Sequence, residues 1–243
     1  MCGIVSYIGK KDPVPILLKG LRRLEYRGYD SAGLALLNHE KLQSIKKVGK
    51  VSSLELLIDD SPINGYCGIA HTRWATHGEP NDVNAHPHID QTKKIALVHN
   101  GIIENYDSIK EVLMKRGVSF TSSTDSEVLV QLISELYYNN NEKLTFEEAV
   151  RAALQEVVGA YGIVVICEDE PGKIIAARMG SPLVLGVGEG EFLIASDASP
   201  IVEHTRNVIY LDDNELVTIE DENFFISKID SKKIVNKTLT KID

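Results

Sequence analysis

Short apolar runs bounded by glycine, aspartate or asparagine recur along most of the chain and predict β-strands. Each run is rich in valine, isoleucine or leucine, the residues that favour a pleated and partly buried surface. The predicted strands are Gly3–Ile8, Gly33–Leu37, Leu42–Val48, Gly68–His71, Ile95–His99, Gly162–Cys167, Lys173–Ala177, Leu183–Gly186, Phe192–Ala195, Val208–Tyr210, Glu215–Ile219 and Phe224–Ile229. Most are separated by hairpin-length turns, which indicates antiparallel pairing.

Between the strands, apolar residues recur at the three- and four-residue spacing of amphipathic helices. In Pro13–Leu24, for example, Leu17, Leu21 and Leu24 fall on one face. The other predicted helices are Ser52–Asp59, Ser108–Arg116, Ser126–Tyr138 and Thr145–Val158. The last begins with Thr145 and Glu148 at the spacing of a capping box. Asp125 stands just ahead of another, where a carboxylate suits the helix cap.

The order of these elements predicts the fold class. Strands that arrive in runs, with helices grouped between them, indicate an α+β fold of antiparallel sheets rather than a doubly wound parallel sheet. We predict one domain over residues 2–229. Residues 230–243 are rich in lysine and aspartate and contain few large apolar side chains, so we expect a charged linker there.

Composition and charge exclude several classes of partner. Apolar residues make up 43% of the 243 residues and charged residues 25%, which is ordinary for a globular protein. The net charge of −9 argues against a nucleic-acid or anionic-membrane partner. The sequence has no apolar run of the about 20 residues that cross a membrane, and its start lacks the features of a signal peptide. Three cysteines without paired spacing suit a reducing compartment, so we expect a cytoplasmic protein.

The second residue is a cysteine, which becomes amino-terminal once Met1 is removed. We expect this removal, because cysteine is small enough for methionine aminopeptidases to act before it. Cys2 would then carry both a thiol and a free α-amine, so that a nucleophile and a candidate base sit on one residue. A cysteine near the start of a strand is by itself an ordinary structural residue, and its meaning depends on the motifs that follow it.

Four further motifs follow Cys2. They are Tyr26-Arg27-Gly28-Tyr29-Asp30-Ser31-Ala32-Gly33, His71-Thr72-Arg73-Trp74-Ala75-Thr76-His77-Gly78, His99-Asn100-Gly101-Ile102-Ile103-Glu104-Asn105 and Ser123-Thr124-Asp125-Ser126-Glu127. In this order and spacing they resemble the class II glutamine amidotransferases, the Ntn hydrolases with an amino-terminal cysteine. Within that class they are most similar to the glutaminase domains of glutamine–fructose-6-phosphate aminotransferases, the glucosamine-6-phosphate synthases. The resemblance runs from Cys2 to about Ile226, and it implies a four-layer α-β-β-α sandwich of two antiparallel sheets.

The resemblance also implies which residues carry out the chemistry. Cys2 would attack the side-chain amide carbon of L-glutamine and form a glutamyl thioester with release of ammonia. The Asn100 side chain and the Gly101 backbone N–H would form the oxyanion hole. Because this pair follows an apolar strand, we expect the chain to turn there. Arg27 would help orient the amino-terminal residue, and Gly28 beside it would allow a close backbone approach.

Arg73 and Asp125 form a complementary pair for an amino-acid zwitterion. A guanidinium can hold a carboxylate with two hydrogen bonds, and a carboxylate can hold an ammonium. By resemblance, Arg73 binds the α-carboxylate of glutamine and Asp125 its α-amine. The resemblance also places Thr76 and His77 at the glutamine site, and it assigns to Trp74 the shielding of the pocket and control of the ammonia outlet.

The seven histidines raise the question of a metal site. His86-Pro87-His88 lacks the spacing of a helical zinc site, and no cysteine or glutamate cluster completes a set of ligands. We therefore predict neither a metal nor a cofactor.

The proteins that the chain resembles continue into sugar-isomerase domains that bind fructose 6-phosphate and receive the ammonia. Residues 1–243 contain nothing similar to those domains, so we expect either an excised domain or a standalone protein with a separate acceptor chain. The linker at 230–243 would lead toward the absent isomerase domains.

Several alternatives stay open at this point. Phosphoribosylpyrophosphate amidotransferases and asparagine synthetases share the class, but Tyr26–Asp30 and Arg73–His77 look like the hexosamine branch. A catalytically silent regulatory module of the same fold would be expected to lack Cys2, Asn100 or Asp125, which are all present. An amino-terminal nucleophile peptidase or acylase would not need a pair of charged side chains, such as Arg73 and Asp125, to hold a free amino acid.

Overall fold

A computed structural model describes residues 2–38, 41–74 and 78–242 of the chain. The strands are β1 (Gly3–Gly9), β2 (Ser31–Leu37), β3 (Leu42–Val48), β4 (Cys67–Arg73), β5 (His88–Ile89), β6 (Ile95–Ile103), β7 (Gly159–Cys167), β8 (Lys173–Met179), β9 (Val184–Val187), β10 (Glu191–Ala195), β11 (Asn207–Tyr210), β12 (Glu215–Glu220), β13 (Asn223–Lys228) and β14 (Thr240–Lys241). The helices are α1 (Pro13–Leu24), α2 (Val51–Asp60), α3 (Tyr106–Lys115), α4 (Asp125–Tyr138) and α5 (Phe146–Glu156), with a 3₁₀ turn at Glu25–Arg27.

The strands form two sheets. In the described residues, the first sheet has the order β14-β11-β9-β10-β1-β4-β2-β3, and the second has the order β13-β12-β8-β7-β6-β5. Neighbouring strands pair antiparallel throughout, as in the register of Gly3 with Thr72 between β1 and β4. The antiparallel pairing expected from the short apolar runs is thereby confirmed.

Alternation along the strands builds the layers. On β1, Ile4 and Ile8 belong to an apolar layer that they share with Val98 and Val164 of the second sheet. Because successive side chains of a strand point to opposite faces, Val5 and Tyr7 lie on the other side, where they pack with Leu17 and Leu21 of α1. One strand thus serves two apolar layers.

The second sheet is covered in the same way. Leu97 of β6 and Val165 of β7 pack against Ile133 of α4 and Phe146 of α5. Helices therefore lie outside both sheets, and the four-layer α-β-β-α architecture is confirmed. The capping box of α5 is also present, since the Thr145 hydroxyl accepts from the Glu148 N–H and the Glu148 carboxylate accepts from the Thr145 N–H.

The prediction of a turn at Asn100-Gly101 is wrong. Strand β6 continues to Ile103, and both residues pair with β7. The strand can continue because Gly101 has a φ of 129°, a conformation that side chains disfavour. The chain leaves the sheet only at Asn105, whose side chain bonds to the backbone of Glu156 and Val158.

The last residues contact both sheets. Val235 N donates to Ile226 O beside β13, and β14 pairs with the edge strand β11 of the first sheet. Lys237 donates to the Tyr210 carbonyl and pairs with Asp212. The segment from 230 onward is thus in contact with the domain that precedes it, and the boundary near residue 229 stays a prediction. No helix among the described residues is long and apolar enough to cross a membrane.

Gly33 provides space for the segment that carries His86. A methyl group at Gly33 would lie 2.2 Å from the His86 carbonyl oxygen and 2.6 Å from Cβ of Lys46. We expect Gly33→Ala to lower the free energy of unfolding by about 1–3 kcal/mol, because backbone atoms cannot move away cheaply. Chemical denaturation measures this loss. Ser44→Ala on the neighbouring β3, where the side chain is exposed, is the control and should change stability by less than about 0.5 kcal/mol.

Candidate active site

A cavity of about 320 Å³ opens at the edge where β1 begins and β6 ends. Predicted site residues line it, drawn from both sheets, from α4 and from the 3₁₀ turn: Cys2, Arg27, Arg73, Trp74, Asn100, Gly101 and Asp125. The remaining two predicted residues, Thr76 and His77, lie outside the described residues. The fold therefore brings together groups that are up to 123 positions apart in the sequence.

Cys2 is half-buried and directly precedes β1. Its Sγ accepts a hydrogen bond from the Trp74 N–H at 3.2 Å and lies 3.6 Å from the Trp74 carbonyl oxygen. Burial raises the pKa of the thiol, while the Trp74 hydrogen bond and the positive charge of Arg73 oppose that rise. The resting thiol is therefore protonated near neutral pH, and attack on a substrate requires a base.

Asn100 crosses the space between the sheets. Its Nδ2 donates to the Cys2 carbonyl oxygen at 3.2 Å, and its Oδ1 lies 2.9 Å from Nε2 of His71. Asn100 shares a face of β6 with Ala96 and Val98, both of which lie in the layer between the sheets. The amide is thus fixed at both ends, beside the Cys2 backbone.

At Gly101 the backbone of β7 lies close to that of β6. A methyl group there would lie 2.0 Å from the Ala160 carbonyl oxygen. On the facing strand Gly159 also has a positive φ, and a methyl group at that position would lie 2.2 Å from the Ile102 carbonyl oxygen. Glycine is therefore required at both positions if β6 is to continue beside the cavity.

Arg73 is buried at the end of β4. Its guanidinium donates to the Gly78 carbonyl oxygen at 3.1 Å and lies 3.9 Å from the Asp30 carboxylate. A buried guanidinium facing a cavity suits a carboxylate ligand, because it offers several donors in one plane.

Asp125 is buried as the first residue of α4. The prediction that Asp125 caps this helix is wrong. The cap is Thr124, whose hydroxyl accepts a hydrogen bond from the Glu127 N–H. Because that hydroxyl satisfies the end of the helix, the Asp125 carboxylate is turned toward β6, where Oδ2 accepts from the Ile103 N–H at 2.8 Å. A carboxylate held by β6 thus lines the cavity.

Arg27 reaches the cavity wall from the 3₁₀ turn. Its guanidinium pairs with Asp197 at 2.9 Å and donates to the Ser196 carbonyl oxygen at 3.3 Å. Ser196 in turn accepts from the Ile4 N–H through its hydroxyl. Arg27 is therefore connected to β1 through residues 196–197, and its expected action on Cys2 stays a prediction.

Trp74 is 55% exposed and forms part of the cavity rim. Gly28, with a φ of 96°, lies against its indole ring, because a methyl group there would be 2.8 Å from Cε3 of Trp74. The close approach expected at Gly28 is thus made to Trp74. An exposed indole on the rim suits the shielding role proposed for this residue.

Seven further residues line the cavity, to which the sequence analysis assigned no role at the site: His86, His99, Ile102, Thr124, Ser126, Ser181 and Pro182. His99 lies across from α4, where its Nδ1 is 2.8 Å from the Ser126 hydroxyl. His71 and His86 lie behind Asn100, and burial lowers the pKa of both rings. Because side chains alternate along β4, His71 lies on the same face as Arg73, which indicates its place near the site but not its contact with Asn100.

The described residues contain no group of three or more histidine, cysteine, aspartate or glutamate side chains placed to hold a metal ion. The arrangement instead offers a thiol, an amide donor beside it, and buried charges of opposite sign. These groups suit acyl transfer from a small zwitterionic substrate.

Comparison with known proteins identifies relatives of the whole chain. A family profile for the glutamine amidotransferase domain matches residues 59–238. The glutamine–fructose-6-phosphate aminotransferase (isomerizing) of Chlorobaculum tepidum is 53% identical over 246 residues, covering 100% of this chain and 40% of the relative. The enzyme of the same name from Bacteroides thetaiotaomicron is 57% identical over 220 residues, covering 90% of this chain and 36% of the relative. The chain thus spans well under half the length of these relatives.

A solved structure shows the same fold. The glutamine phosphoribosylpyrophosphate amidotransferase of B. subtilis, complexed with ADP and GMP, is similar with a TM-score of 0.81 and 26% identity. The match covers 95% of this chain and 50% of that chain. Cys2 and Arg27 precede the profile match, but they lie within the span shared with the Chlorobaculum tepidum relative.

The cysteines should differ in reactivity. Burial raises the pKa of Cys167 to about 11 and raises that of Cys67 as well, and both side chains are inaccessible. Iodoacetamide should therefore label Cys2 alone in the folded chain, with a pH midpoint above that of an ordinary thiol. Since the Arg73 charge lowers the pKa of Cys2, Arg73→Met should move the midpoint to higher pH and Arg73→Lys should not. Peptide mass spectrometry across a pH series gives the midpoints, and labelling of Cys67 in native protein would contradict the assignment.

Proposed function

The chain belongs to the glutamine amidotransferase domain family, and from that premise we propose that it is the glutaminase part of a glutamine–fructose-6-phosphate aminotransferase. One observation carries the chemistry: Cys2, the Asn100 amide, Arg73 and Asp125 converge on one cavity. The identity of 53–57% to aminotransferases of that name supports the more specific assignment. The role in amino-sugar synthesis belongs to this proposal.

The two buried charges define the proposed orientation of L-glutamine. Arg73 binds its α-carboxylate and Asp125 its α-ammonium, so that the side-chain amide extends toward Cys2. Both protein charges are buried, and a zwitterion supplies each with an opposite charge. Thr76, His77 and Trp74 complete the site as proposed glutamine contacts, with Trp74 on the rim.

The reaction begins when the Cys2 thiol loses its proton to the α-amine freed by removal of Met1. Sulfur attacks the amide carbon, and the negative charge that develops on oxygen is stabilised by Nδ2 of Asn100 and the backbone N–H of Gly101. The C–N bond then breaks, the proton goes to the leaving nitrogen, and ammonia departs. Water attacks the glutamyl thioester and releases glutamate with the free thiol.

The remaining partners are also part of the proposal. The named relatives are more than twice as long as this chain, which leaves room for further domains. We propose that these are sugar-isomerase domains, which bind fructose 6-phosphate and receive the ammonia. We place the protein in the cytoplasm, without a nucleic-acid partner, cofactor or metal. The glutaminase domain of a phosphoribosylpyrophosphate amidotransferase is the second candidate, favoured by the TM-score of 0.81 but disfavoured by the identity of 26%.

The isolated chain should hydrolyse L-glutamine to glutamate and ammonia. It should form no glucosamine 6-phosphate, and fructose 6-phosphate should leave the rate unchanged, because the proposed acceptor domains are not part of these 243 residues. A coupled glutamate assay and chromatography of the sugar phosphates test both points. Cys2→Ala is the control, and glutamate formation by that variant would contradict the nucleophile assignment.

Variants of the proposed binding residues and of the proposed oxyanion-hole residue should affect different kinetic parameters. Arg73→Ala or Asp125→Ala should raise the KM for glutamine about 10- to 150-fold, because a charge-assisted contact is lost. Asn100→Ala should instead lower kcat about 100- to 1,000-fold with little change in KM, because it acts on charge that appears only in the transition state. Steady-state kinetics measure kcat and KM for each variant. An unchanged KM in both Arg73→Ala and Asp125→Ala would contradict the proposed binding of glutamine by these two residues.

A further inference from the structure

The orientation of the Asn100 amide is the detail on which its proposed chemistry depends. Only Nδ2 can donate to a negatively charged oxygen, whereas Oδ1 would repel it. The amide has nearly the same shape after a 180° rotation, so something other than packing has to fix its direction. In the structure Nδ2 faces the Cys2 carbonyl and Oδ1 faces His71.

His71 offers Asn100 a donor. Its Nε2 lies 2.9 Å from Oδ1 of Asn100 and 3.1 Å from the backbone carbonyl oxygen of His99. A carbonyl oxygen can only accept, so Nε2 carries the proton and shares it between them. Complete burial lowers the pKa of His71 to about 3 and keeps the ring neutral. Its Nδ1 is therefore without a proton.

His86 supports the ring from behind. Its Nδ1 lies 3.0 Å from Nδ1 and 3.1 Å from Nε2 of His71, and the two rings pack edge to face with centroids 4.1 Å apart. The Nδ1 edge of His86 therefore packs against the face of the His71 ring. The segment of His86 is held in turn by Lys46, whose Nζ donates to the carbonyl oxygens of Ala85 at 2.8 Å and Pro87 at 3.3 Å.

These contacts do not suit His71 as a base for the thiol. Nε2 contacts two carbonyl oxygens, and His86 packs against the ring, whereas Sγ of Cys2 contacts the Trp74 backbone. Among the described residues, no group of three histidine, cysteine, aspartate or glutamate side chains is placed to hold a metal here. What remains is a fixed donor aimed at one atom of Asn100.

We propose that His71 is a positioning residue that sets the direction of the Asn100 amide, so that Nδ2 faces the reacting centre. With Nε2–H opposite, Oδ1 is the only end of the amide that makes a bond on that side. Of the two Nδ2 hydrogens, one goes to the Cys2 carbonyl and the other is left for the oxyanion. The inference rests on the proposed glutaminase function and assigns a role to a residue that does not touch the substrate.

Kinetics on a double-mutant cycle test the proposal. His71→Leu should lower kcat about 10- to 100-fold, less than loss of the donor itself, with the KM for glutamine changed less than about threefold. Because His71 acts through Asn100, the same substitution in an Asn100→Ala background should lower kcat by less than about threefold further. His71→Gln, which can present an N–H in place of Nε2, should retain more of the rate than His71→Leu. A rise in KM at constant kcat, or losses that multiply, would overturn the proposal.

General destabilisation is controlled by Ile69→Val, on the same strand and the same buried face as His71. That variant should lower stability and leave kcat unchanged. If His71→Leu does not fold, His71→Gln takes its place in the double-mutant cycle. Any loss of kcat that His71→Gln causes in the wild-type background should then disappear in the Asn100→Ala background. A kcat loss in folded His71→Gln that persists without the Asn100 amide would contradict the proposal.

A measurement that needs no turnover separates this inference from the proposed function. The side-chain ¹⁵NH₂ signals of Asn100, assigned by their loss in Asn100→Ala, should shift or broaden in the His71 variants and stay sharp in Ile69→Val. A wild-type chain that hydrolyses no glutamine yet shows this response would defeat the function and leave the positioning role intact. Unaltered Asn100 signals in the His71 variants would defeat the positioning role whatever the activity.

Discussion

The site depends on one constraint, the facing of two antiparallel sheets across a shared apolar layer. Strand β1 begins and β6 ends at the same edge of that layer, so Cys2 and Asn100 meet there and are joined by the Nδ2 hydrogen bond to the Cys2 carbonyl. Because successive side chains of a strand point to opposite faces, every second residue of these strands points into the layer. Ile4, Ile69 and Val98 fill the middle of the layer, and at its edge the same faces present Cys2, Arg73 and Asn100.

Burial at this edge controls the chemistry of each group. It raises the pKa of Cys2 and lowers that of His71, so both are neutral in the resting site. Arg73 and Asp125 keep their positions through backbone contacts, with Gly78 and Ile103 respectively. A site that combines a neutral thiol and imidazole with two buried side chains of opposite charge suits a substrate whose amide is neutral and whose amino-acid end is charged.

Much of this could be predicted from the sequence, because alternation and helical periodicity are local properties. The bounds of α1 were predicted without error, and those of β3 likewise. The continuation of β6 through Asn100 was not, because Asn-Gly is a common turn pair and the close approach of Gly101 to Ala160 is a tertiary contact. The same limit applies to Thr124, which caps α4 in place of Asp125. The role of His71 depends on Asn100, which is 29 positions away, and spacing along the chain does not reveal it.

The central claim is that Cys2 forms a covalent bond to the glutamyl group of glutamine in this cavity. Rapid acid quenching of the chain during turnover, followed by intact-mass and peptide mass spectrometry, measures it directly. We expect a species heavier by one glutamyl group, with the added mass on the peptide that begins at Cys2 and none in Cys2→Ala. Glutamate formation with no adduct at Cys2, or an adduct on the peptide of Cys67 or Cys167, would contradict it.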